Sequence, residues 1–186
     1  MRLRLTGRGY SLAEVIVVVG ITALLASLVL ANGRPGARAF DVRRGAQILT
    51  SDVRRTQTLS LSAQQEENDC RGPYEVPYYG IRVRRDVSLE GYYELFADCN
   101  RDRQYNSGDF VVSSNILTNV VIQSTTPSPQ GGWLEIVYIP PIPQVSIRRA
   151  QPGTYTSFTF FLCHNRDSSI CMNVMGNDKG NVEVEE

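Results

Sequence analysis

One uncharged stretch near the amino terminus limits what this chain can fold into. Between Val15 and Ala31 no side chain carries a charge, and the apolar character begins at Leu12. A helix of about 20 residues is about 30 Å long, which matches the thickness of the hydrocarbon core of a bilayer. We therefore predict a transmembrane helix over residues 10–31, because an apolar run of this length is typical of a spanning helix and not of a buried soluble one.

A single carboxylate lies at the start of this run. Glu14 is within the predicted span, where a charged side chain is costly and usually has a partner and a function. A secretory signal peptide, ending at Val29-Leu30-Ala31, and a plain membrane anchor are the competing interpretations. Glu14 argues against the signal peptide, because the apolar core of a signal peptide does not contain a carboxylate.

The residues around Glu14 resemble a known processing signal. The segment Arg8-Gly9-Tyr10-Ser-Leu-Ala-Glu14 is similar to the class III signal of type IV pilins and type II secretion pseudopilins, although Tyr10 stands where that family usually has Phe. The resemblance implies that a prepilin peptidase cuts after Gly9 and methylates the new amino terminus on Tyr10. It also implies that Glu14 pairs with the terminal amine of a neighbouring subunit, and an ammonium and a carboxylate buried together would satisfy each other.

Charge and cysteine content indicate where the rest of the chain lies. Basic residues precede the span, so the leader should remain cytoplasmic while the remainder crosses the inner membrane. Four cysteines follow the span, in what would be an oxidising compartment, and two disulfides are expected. The sequence leaves the three pairings of four cysteines open. We favour Cys163–Cys171, across a predicted hairpin loop, which leaves Cys70–Cys99; zinc is a weaker alternative, because no Cys-x-x-Cys spacing is present.

The remainder of the chain is predicted to be α+β: a long amino-terminal helix, transmembrane in its first half and amphipathic in its second, packed on an antiparallel sheet. After a leader at residues 1–9 and the span, a helix break is expected at residues 32–36, where Pro35 and two glycines occur. An amphipathic helix is expected over 37–66 and an extracytoplasmic β-rich domain over 67–186. The apolar face of that helix contains Val42, Ala46, Leu49 and Val53. Strands are predicted at Tyr79–Arg84, Tyr92–Ala97, Phe110–Val112, Val120–Gln123, Trp133–Ile139, Val145–Arg148, Tyr155–Leu162, Cys171–Val174 and Val182–Val184.

Three internal segments resemble one branch of the pilin-like group, that of the minor pseudopilin H and FimT. They are Ala46–Arg55 in the amphipathic helix, Tyr93–Asp102 in a strand and its loop, and the closing segment Met172–Val184. These internal similarities are weaker than the one at the amino terminus. They do not distinguish secretion from pilus assembly or DNA uptake.

One polar loop has the spacing of a calcium-binding loop. Oxygen-bearing side chains occupy the first, third, fifth, seventh, ninth and twelfth places of an EF-hand-like segment: Asp98, Asn100, Asp102, Gln104, Asn106 and Asp109. Arg103 replaces the usual glycine, and Asp109 replaces the usual glutamate. The alternative is an ordinary Asp- and Asn-rich turn. Calcium is therefore the predicted cofactor.

The sequence as a whole favours a structural subunit over an enzyme. It contains no nucleophile elbow, phosphate-binding loop or His-Glu-x-x-His motif. The resemblance implies that the partners are the prepilin peptidase, other pilin or pseudopilin subunits and membrane lipid. The alternative is a DNA-binding minor pilin of a DNA-uptake pilus, in which Arg84-Arg85 and Arg148-Arg149 would contact phosphates. The acidic end of the chain, which includes Glu183 and Glu185, argues against that alternative.

Overall fold

The computed structural model describes residues 10–62, 70, 77–84, 90–128, 132–140, 144–148 and 155–185, with residues 30–35, 144 and 148 described by their backbone alone. In these ranges the order of elements is α1 (Leu12–Leu61), β1 (Tyr78–Arg84), β2 (Gly91–Asp98), β3 (Phe110–Leu117), β4 (Val120–Thr126), β5 (Trp133–Ile139), β6 (Gln144–Arg148), β7 (Ser157–His164), β8 (Asp167–Asn177) and β9 (Val182–Glu185). The chain divides into two compact units, Met1–Ala37 and Arg38–Glu186, and helix α1 contributes residues to both.

Helix α1 is continuous where the sequence predicted an interruption. The backbone is helical throughout residues 32–36, so the predicted break is wrong. Helix formation is cooperative, and long helical segments on both sides outweigh the low propensity of one proline and two glycines. The helix ends at Leu61, and the last residues of the predicted 37–66 segment, like the leader at residues 1–9, lie outside the described residues.

The first unit contains the apolar part of helix α1. The window Leu12–Val29 has a mean hydropathy of 2.5, and none of it is buried within the protein. By length and composition this segment can cross a membrane once. Its large apolar side chains are exposed to a degree that is unusual for a helix; Leu12, for example, is 80 % exposed.

The second unit is built around the amphipathic part of the same helix. Val42, Ala46, Leu49 and Val53 are completely buried, as the three- and four-residue spacing predicted. The residues between them are mostly exposed, which includes Arg43, Arg44 and Gln47 on the outer face. This part of the helix therefore packs through a single apolar stripe.

Two antiparallel sheets make up the rest of the second unit. A five-stranded sheet has the order β3-β2-β1-β5-β6, and a four-stranded sheet has the order β4-β7-β8-β9. Strand β1 illustrates the alternation that orients these strands: Ile81 and Val83 point into the core, while Arg82 and Arg84 point outward. The inward faces of both sheets and the helix stripe belong to one apolar cluster. The chain is thus α+β, as predicted, but its strands form two sheets and not the single sheet that was expected.

All of the predicted strands are present, but several boundaries differ. Strand β3 continues from the predicted end at Val112 to Leu117, through Ser113, Ser114 and Asn115. These polar residues are not among those enriched in strands, so their pairing with β2 decides the conformation. Strand β8 is likewise longer than predicted at both ends, because it pairs with β7 on one side and with β9 on the other.

We predict that Gly176 cannot be replaced by alanine without loss of stability. A Cβ atom at Gly176 would lie 2.2 Å from Cζ of Phe158, a ring that is 1 % exposed. Gly176→Ala should lower the free energy of unfolding by about 1–3 kcal/mol, because the ring has to move in a packed core. The measurement is urea denaturation of the full chain in detergent, followed by the fluorescence of Trp133, the single tryptophan.

Gly36→Ala is the matched control for this prediction. A Cβ atom there would meet nothing within 4 Å, and alanine favours a helix over glycine by about 1 kcal/mol. The control should be neutral or slightly stabilising. An equal stability for wild type and Gly176→Ala would contradict the packing argument.

Candidate functional site

The amino-terminal end of helix α1 contains the residues that the sequence linked to processing and assembly. Gly9, where cleavage is predicted, lies outside the described residues. Tyr10 precedes the helix and is 83 % exposed, and Glu14 lies in the first helical turn. The backbone N–H of Glu14 donates to Oγ of Ser11, at 3.2 Å, and to the carbonyl oxygen of Ser11, at 3.0 Å.

Ser11 is therefore the N-cap of helix α1, a role that the sequence analysis did not assign. A serine followed three residues later by glutamate is the pattern of a capping box, and it could have been recognised from sequence. A carboxylate in the first turn also interacts favourably with the helix dipole. This local role of Glu14 is compatible with the pairing role that the resemblance implies.

The loop between β2 and β3 contains the predicted calcium ligands. Asp98 is completely buried, and its carboxylate accepts the backbone N–H groups of Asp102, at 3.2 Å, and Arg103, at 2.7 Å. Arg103 has a φ of 68°. The left-handed conformation that glycine provides at this place of an EF-hand loop is therefore present here, although the residue is an arginine.

The other carboxylates of the loop are also bonded within it. Asp109 accepts the backbone N–H groups of Cys99, at 2.9 Å, and Asn106, at 2.7 Å. Asp102 accepts the backbone N–H of Gln104 and the side-chain amide of Asn106, both at 3.0 Å. The described residues contain no cluster of three or more His, Cys, Asp and Glu side chains that could hold a metal ion. Calcium binding therefore stays a prediction.

The carboxylates of this loop affect one another electrostatically. Burial, together with the nearby carboxylates of Asp109 and Asp102, raises the pKa of Asp98 from 3.8 to about 6, although hydrogen bonds from the backbone of Arg103 and Arg101 act in the opposite direction. Burial also raises the pKa of Asp109. A cation bound among these groups would relieve the repulsion between them.

The same loop is attached to the outer face of the five-stranded sheet by an aromatic contact that the sequence analysis missed. The ring of Tyr105 lies 3.4 Å from the guanidinium carbon of Arg82, and Trp133 lies on that guanidinium too, at 4.4 Å. Arg82 forms an ion pair with Glu94, and the backbone N–H of Tyr105 donates to Glu135 at 3.2 Å. The sequence did contain a pattern from which this contact could have been predicted: outward-facing charged and aromatic residues alternate with buried ones on β1, β2 and β5.

Both disulfides have the favoured pairing. Cys163 and Cys171 lie directly opposite each other in the β7–β8 hairpin, and Cys70 is joined to Cys99. The second disulfide ties a residue of the predicted calcium loop to the segment that follows helix α1. No cysteine is left free.

His164 lies at the end of β7 and is buried. Its Nδ1 accepts the backbone N–H of Arg166 at 3.0 Å, and its Nε2 lies 3.8 Å from the carboxylate of Asp41. Asp41 also accepts the side-chain amide of Asn119 at 3.2 Å. His164 therefore has a structural role: it connects the β7–β8 hairpin with helix α1.

The arginines considered for DNA binding are only partly described. Arg84 is exposed and already takes part in an interaction within the protein. The side chain of Arg148 and all of Arg85 and Arg149 lie outside the described part of the chain. Comparisons with protein-family models, with curated proteins and with solved structures give no match for this chain.

We predict that acidification stabilises the fold through Asp98. Its pKa is higher in the folded chain than the value of about 3.9 expected when unfolded. The folded state therefore binds the proton more tightly, and the contribution of Asp98 to the free energy of unfolding should increase as the pH falls from 7 towards 4. Urea denaturation of the full chain in detergent at pH 7 and pH 5 measures this contribution against Asp98→Asn.

The expected result is that wild type gains stability relative to Asp98→Asn between pH 7 and pH 5. Ser168→Ala, an exposed position outside the loop with no titratable group, serves as a control and should show the same pH dependence as wild type. A difference between wild type and Asp98→Asn that does not change with pH would contradict this prediction.

We also predict that calcium raises the melting temperature of the full chain. Calcium would bind the folded loop and not the unfolded chain, and a ligand at about 100 times its Kd stabilises by about 2.7 kcal/mol. Asp98→Ala and Asp102→Ala should abolish the shift, whereas Arg103→Gly should enlarge it, because glycine adopts the left-handed backbone more readily. Identical melting curves in chelator and in millimolar calcium would contradict calcium binding and would show that the loop is an ordinary polar turn.

Proposed function

We propose that this chain is a structural subunit, a minor pilin or pseudopilin, of a type IV pilus or a type II secretion filament. The subunit is cleaved after Gly9, methylated on the amino group of Tyr10, and held in the inner membrane by a single span until it assembles. The observation that carries this proposal is the combination of Tyr10 and Glu14 at the start of an apolar helix that has no cover within the protein.

The exposure of the apolar window supports the proposal on physical grounds. Burying one side chain of the size of Val or Leu contributes about 1.5–3 kcal/mol, and none of Leu12–Val29 is buried. A helix that is apolar on all sides requires either lipid or the helices of other subunits around it. A subunit that moves from the membrane into a helical assembly exchanges one of these environments for the other.

The position of Glu14 supports an assembly role. Within an apolar environment its carboxylate needs a cationic partner, since an isolated charge is expensive there. The amino group of a processed Tyr10 in a neighbouring subunit is such a partner, and Tyr10 is exposed ahead of the helix. The N-cap bond uses only the backbone N–H of Glu14, so the carboxylate remains available for this pairing.

The remaining unit suits an extracytoplasmic location. Its two disulfides are expected to persist in an oxidising compartment and are rare in the cytoplasm. The basic leader, with Arg2, Arg4 and Arg8, favours retention of the amino terminus on the cytoplasmic side. No contact in the described residues favours the DNA-binding alternative over the structural one.

The first test is the mass of the mature protein. A chain that begins at N-methylated Tyr10 is expected, because the resemblance places cleavage after Gly9. An uncut chain, or one that begins after Ala31, would contradict the proposal. Electron microscopy and fractionation of sheared filaments then show whether the protein is incorporated.

The second test separates the two roles of Glu14. Glu14→Ala should leave the protein in the membrane but reduce its incorporation into filaments, because the neighbouring amine loses its partner. Ser11→Ala is the matched control: it removes the N-cap, at a cost of about 1 kcal/mol, and keeps the carboxylate. Equal losses for the two variants would show that a weakened start of the helix, and not the loss of the carboxylate itself, is enough to impair assembly, and would contradict the pairing role.

A further inference from the structure

We propose that a cleft beside helix α1 binds the acidic β9 end of a second copy of this chain. The cleft has a volume of about 310 Å³ and lies between the helix and the turn that joins β3 to β4. It is lined by Asp41, Arg44, Gly45 and Ile48 on the helix wall and by Ile116, Leu117, Thr118 and Asn119 on the strand wall. This inference rests on the proposed function, because it specifies how two neighbouring subunits contact each other.

The cleft combines an unpaired cation with exposed apolar groups. Within the described residues, no hydrogen bond or ion pair engages the side chain of Arg44, which is exposed. Ile48 is 43 % exposed and Ile116 is 61 % exposed on the opposite wall. Gly45 is buried and packs closely against Val120, since a Cβ atom there would lie 3.2 Å from the Val120 side chain. A segment that offers a carboxylate together with an aliphatic side chain would therefore be complementary to this cleft.

The carboxylate of Asp41 already has partners within the protein, so it does not compete with an incoming carboxylate for the guanidinium of Arg44. It accepts the amide of Asn119 at 3.2 Å and lies 3.8 Å from Nε2 of His164. These contacts hold Asp41 at one end of the cleft. Anionic ligands are therefore expected at the other end, between Arg44 and Ile48.

Strand β9 has the chemistry that this cleft requires. Glu183 and Glu185 are exposed, and no hydrogen bond or ion pair engages their side chains within the described residues. Val184, between them, is 37 % exposed. Because successive side chains of a strand point to opposite faces, the two glutamates can face the helix wall while Val184 faces the strand wall.

The two surfaces belong to different places on one molecule. The cleft lies at the junction of β3 and β4, whereas β9 is the edge strand at the far side of the four-stranded sheet from β4. A contact between two different patches is heterologous, and repeated contacts of this kind form an open helical assembly unless the rotation closes a ring. The proposed contact is therefore of the type that a filament requires.

Site-specific photo-crosslinking in the full-length membrane protein tests this contact. A photoreactive amino acid replaces Ile48, and a second, differently tagged copy is expressed in the same cell. The expected product is a crosslinked dimer in which mass spectrometry places the link within Val182–Glu185 of the other copy. The same amino acid in place of Ser168, which is exposed on the β7–β8 hairpin, should give no such product.

Charge reversal tests the complementarity. Arg44→Glu should reduce the yield of this dimer by roughly tenfold, because it places like charges opposite each other. Glu183→Arg combined with Glu185→Arg should reduce it similarly, and all three changes together should restore it. Restoration also shows that the separate variants fold. Lys179→Glu, the same reversal at an exposed turn, should leave the yield unchanged.

Several outcomes would overturn the inference. In the crosslinking experiment, these are a link from position 48 to another protein, to lipid, to the same chain or to another segment of the second copy. In the charge-reversal experiment, it is a reduced dimer yield that the triple variant does not restore. The result is independent of the test of processing. A chain that begins at methylated Tyr10 without the cleft–β9 link would refute only this contact, whereas the link in an unprocessed chain would refute only the filament assignment.

Discussion

Burial of one stripe of helix α1 is the constraint on which the second unit depends. The stripe joins the same apolar cluster as the inward faces of both sheets. In the described residues the two sheets share no continuous ladder, so the helix provides their common apolar partner. Polar substitution at Leu49 would therefore affect both sheets at once, because a buried group without a hydrogen bond is costly.

Polar contacts then fix how the helix is rotated over the sheets, which apolar contacts alone do not determine. The hydroxyl of Tyr93 on β2 donates to Asp52 at 2.6 Å, and the hydroxyl of Ser60, which is buried, donates to the carbonyl oxygen of Tyr138 at 2.6 Å. Breaking such a bond leaves a buried group unsatisfied, at a cost of about 1–3 kcal/mol. Burial and the bond to Asp52 also raise the pKa of Tyr93 well above its usual value, so this hydroxyl remains a donor.

Local patterns in the sequence predicted much of this fold, and the misses came from interactions between distant residues. The spacing of the stripe, the strand cores and the Cys163–Cys171 hairpin depend on neighbours along the chain. The extension of β3 to Leu117 depends on pairing with β2, and the docking of Tyr105 depends on Arg82, which lies on another strand. The predicted break around Pro35 failed for a different reason: local propensity was weighed without the cooperativity of the flanking helix. In the candidate calcium loop, the sequence pointed to the carboxylates. It did not show that backbone N–H groups of the same loop donate hydrogen bonds to them, because that depends on the loop conformation.

The distribution of apolar side chains around helix α1 changes along its length. Charged contacts with the rest of the protein occur where this change takes place. Before Val29 it is apolar on every side, whereas from Val42 onward only one stripe is apolar. Arg38 forms an ion pair with Asp167 at 3.0 Å, and Asp41 contacts the hairpin and the β3–β4 turn. Around Val42 the helix begins to pack on the sheets. Without these polar contacts, only non-directional apolar packing would hold the helix there. The hairpin disulfide next to these contacts limits how far the hairpin can open, so a covalent bond supports the noncovalent attachment of the helix.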